Sequence, residues 1–151
     1  MPSSDVVVFV CLHGSAKSVI ASAYLNRLSA ERGLSIRATA AGVDPDPNIP
    51  IHVQHGLLQD DIDVRNQLPR RVNREELSAA WRVVSFGCDL ENVAPAGLAV
   101  ERWDDVPAVS DGFPAARDAI LARIRQFLDR LAAGNIPNTE PSRESRGDCD
   151  D

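Results

Sequence analysis

Apolar residues run unbroken through VVVFVC (6–11), and the stretch that follows, KSVIASAYLNRLSAERG, sets Ile20, Tyr24 and Leu28 at helical spacing. A continuous β-branched run fits a strand buried on both faces of a parallel sheet. The recurrence after it fits one buried face of a helix, with Gly33 placed to cap its C-terminus. LSIRATAAG (34–42) predicts a second strand and VDPDPNIP a loop broken by Pro and Asp. IHVQHGLLQDDID predicts a short helix that turns Val53, Leu57 and Leu58 inward. In VNREELSAA, Asn73 and Glu76 have the spacing of a capping box at a helix start. WRVVSFGC (81–88) and GLAVERW (97–103) predict a third and a fourth strand. GFPAARDAILARIRQFLDRLAA closes the series as a helix with Ile120, Ile124, Phe127 and Leu131 along its apolar stripe.

Strands alternating with helices imply parallel pairing through right-handed crossovers. The expected fold is therefore a three-layer α/β/α sandwich around a four-stranded parallel sheet, formed by residues 1–133. Beyond Gly134 periodicity stops and the sequence turns polar and acidic, so 134–151 is expected to be a disordered tail.

Composition narrows the chemistry. The 151 residues suffice for one domain with a proper core. A net charge of −6 lacks the basic footprint of a nucleic-acid binder. No apolar run approaches the roughly 20 residues that cross a membrane, and the N-terminal residues lack the basic start of a signal peptide. Three widely spaced cysteines form neither a disulfide framework nor a zinc motif, which points to the cytoplasm and to thiols usable as reagents. His52 and His55, at i and i+3, lack further ligand candidates nearby and read as a helix surface; no metal or other cofactor is expected.

The first strand ends in Cys11, at the rim where open α/β sheets bind ligands. Leu12, His13, Gly14, Ser15 and Ala16 then lead to Lys17 and Ser18 at a helix start. Small residues can turn their amides inward, Gly14 can take a positive φ, and the helix terminus favours an anion. Ser18 is placed to hydrogen-bond the Cys11 sulfur, and such surroundings make a thiolate nucleophile. A lone cysteine at a strand end is more often a small buried hydrophobe; the constellation as a whole favours a cradle for phosphate or arsenate. Lys17 is the chain's only lysine among many arginines. It is either a chance survivor of an arginine-rich composition or a position that needs an ammonium.

The stretch VFVCLHGSAKSVIASAYLNRL resembles the low-molecular-weight protein tyrosine phosphatases and their thiol-linked arsenate reductase relatives. Their signature is Cys, five residues, Arg, then Ser or Thr, directly after the first strand. ATAAGVDPDPNIP, GLLQDDIDVRNQLPRRVNREEL, WRVVSFGCDLEN and RWDDVPAVSDG are similar to later segments of that family, so the likeness extends from residue 5 to about 131. It implies a Cys11 nucleophile, an oxyanion held by the 12–18 loop, and a general acid from the RWDDVPAVSDG loop.

Four departures matter. Lys17 replaces the family arginine, keeping charge but losing the planar two-pronged fork. Val106 stands where the family has aspartate before proline, leaving Asp105 as the candidate acid, with Asp104 and Asp111 as lesser ones. Ile49 stands where the phosphatases place a pocket aromatic, which weakens any assignment of phosphotyrosine as the substrate. Cys88 falls on the resolving cysteine of the reductases, and reads equally as a buried strand-end thiol. The further cysteine that thioredoxin-linked enzymes place seven residues later is Pro95 here, so a relay would need an external thiol reductant. Three functions remain open: a cysteine-dependent phosphatase, an arsenate reductase using Cys11 and Cys88, and a binder of phosphate or phosphorylated protein without turnover.

Overall fold

The computed structural model describes residues 5–90 and 92–132. Four strands, β1 (Val6–Cys11), β2 (Arg37–Gly42), β3 (Arg82–Ser85) and β4 (Glu101–Arg102), form one sheet in the order β2-β1-β3-β4. Every pairing is parallel. The helices are α1 (Lys17–Glu31), α2 (Ile51–Leu58), α3 (Arg74–Ala79) and α4 (Phe113–Ala132), with a 3-10 turn at Val109–Asp111. This is the α/β architecture expected from the pattern of strands and helices. The segment 134–151, expected as a disordered tail, lies outside the described residues.

Alternation along β1 divides the core in two. Val7, Phe9 and Cys11 face a cluster built with Ile20, Tyr24 and Leu25 of α1, Val53 and Leu57 of α2, and Ile120, Ile124, Phe127 and Leu128 of α4. Val8 and Val10 face a second cluster that contains Val83, Leu77 of α3, Cys88 and Leu90. Phe9, Phe86 and Trp103 pack with ring centroids 5.5–6.0 Å apart, filling the space beneath the strand ends on the first face.

Several elements are shorter than the apolar pattern suggests, because side chains intercept the backbone. The strand expected over 34–42 begins at Arg37, since the Ser29 hydroxyl of α1 takes the carbonyls of Leu34 and Ile36. The strand expected over 81–88 stops at Ser85. There the Ser85 hydroxyl accepts from the Cys88 amide and donates to the Cys88 carbonyl, each at 2.9 Å, and Gly87 turns the chain with φ of +94°. The fourth strand shrinks to two residues on the sheet edge, after a turn in which Leu98 N–H bonds Pro95 O. Leu58, expected inward, is 40% exposed, while Val53 and Leu57 are fully buried. The capping box at Asn73 and Glu76 forms as its spacing predicts.

Tyr24 is buried in the first cluster, and its hydroxyl donates to Asp60, which follows α2, tying α1 to that segment. Burial, and then the Asp60 carboxylate, push its phenol above the usual value of 10.0. A group whose pKa folding raises adds stability that is complete below its unfolded value and lost as pH rises toward the folded one. Tyr24→Phe should cost about 1–2 kcal/mol at pH 8 in urea unfolding. That difference should shrink above about pH 10; a difference that grows with alkalinity would contradict the bond.

Candidate functional site

The site lies at the carboxyl end of β1, where Cys11 pairs in register with Gly42. Beyond that pair the two chain segments continue side by side. The Cys11, Leu12 and His13 carbonyls accept from the amides of Val43 (3.2 Å), Asp44 (2.8 Å) and Asp46 (3.1 Å). In a planar trans peptide the N–H points opposite to the C=O. The Leu12, His13 and Gly14 amides are therefore turned away from the 43–46 segment, toward the inside of the loop. Pro45 and Pro47 carry no N–H, which leaves Asp44 and Asp46 as the donors of residues 44–47.

A third segment supports the second from outside. Gly42 N–H bonds Arg70 O at 2.9 Å, Val72 N–H bonds Gly42 O at 3.0 Å, and Arg71 Nη1 donates to Val43 O at 2.9 Å. The inner two segments meet at a glycine pair. Gly14 has φ of +61°, and a Cβ on it would lie 2.6 Å from Gly42 N. A Cβ on Gly42 would lie 2.5 Å from Gly14 N. Neither position has room for a side chain.

Helix α1 starts at Lys17, directly after this loop. Its N-cap, Ala16, offers no side-chain cap. The first-turn N–H groups have no acceptor within the helix, so this terminus can take an anion. Cys11 is fully buried, and its sulfur is a thiol rather than half of a disulfide. That thiol donates to Ser18 Oγ at 3.1 Å, the contact expected from the spacing. The same hydroxyl can turn to donate to a thiolate. Lys17 is 4% exposed and Ser15 2%, so both residues are buried.

His13 lies at the partly exposed rim. Its Nδ1 donates to Asp44 O at 3.1 Å and lies 3.5 Å from Asp46 Oδ1. Asp46 Oδ2 accepts from Ser15 Oγ at 2.8 Å. Sequence reasoning passed over Asp46; its one signal was the Asp-Pro alternation that leaves its amide available.

The acid-loop candidates are placed otherwise. Asp105 accepts from Arg123 of α4 at 2.8 Å and its side chain is 67% exposed, a surface pair rather than a contact of the cradle. Asp104 accepts from Arg102 Nε at 3.3 Å. Arg102 stands level with Ser85 and Val10 in the sheet, on the face opposite Cys11. Trp103 is buried on the Cys11 face, and Val106 packs with it. Asp111 ends the 3-10 turn before α4.

Cys88 is buried in the second cluster, against which Leu12 packs. Contrary to the free thiol expected from the sequence, it is disulfide-bonded, while Cys11 is a thiol, so no bond joins the two. Ile49 is buried, at 3% exposure, in the first cluster. His52 and His55 are exposed on α2, and among the described residues no group of three His, Cys, Asp or Glu could hold a metal.

A parallel sheet whose central strand ends in a buried thiol, followed by a short loop and a helix start, defines an α/β protein with a cysteine at the carboxyl rim of its sheet. The comparison with family models agrees. The chain belongs to the low molecular weight phosphotyrosine protein phosphatase family, whose model matches residues 6–96. The loop around Asp105 lies beyond that match.

Among solved structures, YfkJ of Bacillus subtilis is 23% identical with a TM-score of 0.74, over 89% of this chain and 99% of that one. A thioredoxin-dependent arsenate reductase of Corynebacterium glutamicum is also 23% identical, with a TM-score of 0.71, over 87% of this chain and 64% of that one. A protein tyrosine phosphatase of Entamoeba histolytica is 15% identical with a TM-score of 0.77, over 89% of this chain and 100% of that one. At these identities the likeness is one of fold. No curated protein matches.

The glycine pair is directly testable by urea unfolding. Gly33 also has a positive φ, of +72°, but a Cβ there meets nothing within 4 Å. Gly33→Ala should cost about 1–2 kcal/mol, the left-handed penalty alone. Gly42→Ala must push the facing backbone segments away from each other and should cost about 3 kcal/mol. Equal costs would contradict the close approach.

Proposed function

We propose that this chain is a cysteine-dependent phosphatase that hydrolyses phosphomonoesters through a thiophosphate on Cys11. The observation that carries the reading is the fully buried Cys11 thiol, bonded to Ser18, at the root of a loop whose amides are turned inward. The inward amides and the α1 terminus would hold the non-bridging oxygens of a phosphoryl group, with Lys17 as the cation. The Cys11 thiolate attacks phosphorus in line with the leaving oxygen, and the P–O bond breaks as the S–P bond forms. Water then attacks phosphorus, releasing phosphate and restoring the thiolate.

Lys17 contributes charge without the bidentate geometry of arginine, so orientation of the phosphoryl oxygens falls more heavily on the backbone. Asp105 is the proposed proton donor to the leaving group. It must first release Arg123, and the loop before Pro107 would have to carry it toward the cradle. The buried aliphatic Ile49, where the phosphatases place an aromatic, favours a phosphomonoester other than phosphotyrosine. Phosphate is the expected product ligand.

Arsenate reduction is the second reading, favoured by the presence of Cys88 in the cluster against which Leu12, the first loop residue, packs. Arsenate would esterify Cys11; a second thiolate would then attack the Cys11 sulfur, and the S–As pair would leave as arsenite while a disulfide forms. Cys88 would have to be reduced first, which assigns an external thiol to the reaction.

Hydrolysis of p-nitrophenyl phosphate and of phenyl phosphate tests the phosphatase reading. Cys11→Ser should abolish turnover of both. Asp105→Asn should slow phenyl phosphate by about 100-fold and p-nitrophenyl phosphate much less, because phenolate is the poorer leaving group and needs the proton more. Equal effects on both esters would remove Asp105 from the acid role. Turnover that survives Cys11→Ser would overturn the mechanism. Arsenate loss that depends on thiol, Cys11 and Cys88 without ester hydrolysis would replace it with the second reading.

A further inference from the structure

Asp46 makes three links to the loop from one residue. Its amide donates to His13 O at 3.1 Å, its Oδ2 accepts from Ser15 Oγ at 2.8 Å, and its Oδ1 lies 3.5 Å from His13 Nδ1. The backbone link lies on the side opposite the Gly14 amide. By charge alone, a carboxylate beside an anion site weakens anion binding. A carboxylate in that position therefore helps binding only if it has a role that outweighs the repulsion.

The loop itself suggests that role. Gly14, Ser15 and Ala16 are small, and ordering each backbone residue costs about 1–2 kcal/mol. With a point-charge lysine in place of a fork, the amides must be ordered by the loop's own contacts. Ser15 lies two residues beyond His13, whose carbonyl is the last held by the 43–46 segment, and its hydroxyl has Asp46 as partner.

We infer that Asp46 is a positioning residue: it clamps Ser15 and His13 from outside and thereby holds the oxyanion loop in its binding shape. This rests on the reading of the loop as an oxyanion cradle. Charge and positioning then predict opposite signs for one substitution. If Asp46 acts only as a nearby negative charge, its removal tightens anion binding. If it positions the loop, removal weakens binding.

The test is isothermal titration of the full chain with inorganic phosphate, at constant pH and well below the unfolding temperature of each variant. Asp46→Ala should weaken binding about tenfold, the loss of one charge-assisted hydrogen bond. Asp46→Asn keeps an acceptor for Ser15 and should bind within about threefold of wild type. Ser15→Ala should weaken binding, and adding it to Asp46→Ala should produce little further loss, since both remove the same bond. Unchanged or tighter binding by Asp46→Ala would overturn the clamp while leaving the cradle intact. An asparagine variant as weak as the alanine one would also overturn it, because the retained acceptor would then do nothing. Wild-type protein that binds no phosphate would overturn the cradle reading and the clamp together.

Discussion

Three carbonyl groups, those of Cys11, Leu12 and His13, are held by the amides of Val43, Asp44 and Asp46, and the site takes its shape from that pairing. A backbone segment leaving a strand at the sheet rim has to satisfy both its donors and its acceptors. Here the acceptors are satisfied laterally by the neighbouring segment, so the donors must face the other way. No side chain is needed to turn these three N–H groups to one side. What is needed is a closely approaching neighbour, which explains the glycine pair at positions 14 and 42, the hold of Arg70 and Val72 on Gly42, and that of Arg71 on Val43.

The rest of the domain serves this rim. Parallel pairing on both sides of β1 fixes where the strand ends, and the aromatic group of Phe9, Phe86 and Trp103 fills the layer beneath. The α1 helix leaves the loop with its positive end at the site and is anchored in the core by Ile20, Tyr24 and Leu25. Hydrogen bonds to charged groups contribute about 1.5–3 kcal/mol each. Several backbone donors can therefore hold an oxyanion even where the cation is a point charge. Under the proposed function, Lys17 would change how an anion is oriented rather than remove the site.

Much of this architecture is legible in the sequence. The unbroken run 6–11 and the helical spacing after it locate the thiol, the loop and the helix terminus together, because period and burial are properties of consecutive residues. Strand lengths are less legible. Ser29 and Ser85 each divert backbone groups that the apolar pattern assigns to the sheet, and a hydroxyl carries no hydrophobic signal. Asp46 is also hidden, since its partners lie some thirty positions earlier and only the sheet register brings them together. The likeness of the 102–112 segment to an acid loop suggests Asp105; the salt bridge to Arg123 depends on where α4 packs, which local sequence does not encode.

The inward-facing amides are the central claim, and amide NMR during titration with inorganic phosphate tests it most directly. The expected result is saturable shifts concentrated on the N–H signals of Leu12, His13, Gly14 and the first turn of α1, with Val43, Asp44 and Asp46 moving little. Phosphate-induced shifts concentrated elsewhere, with the 12–18 signals unmoved at saturation, would contradict it.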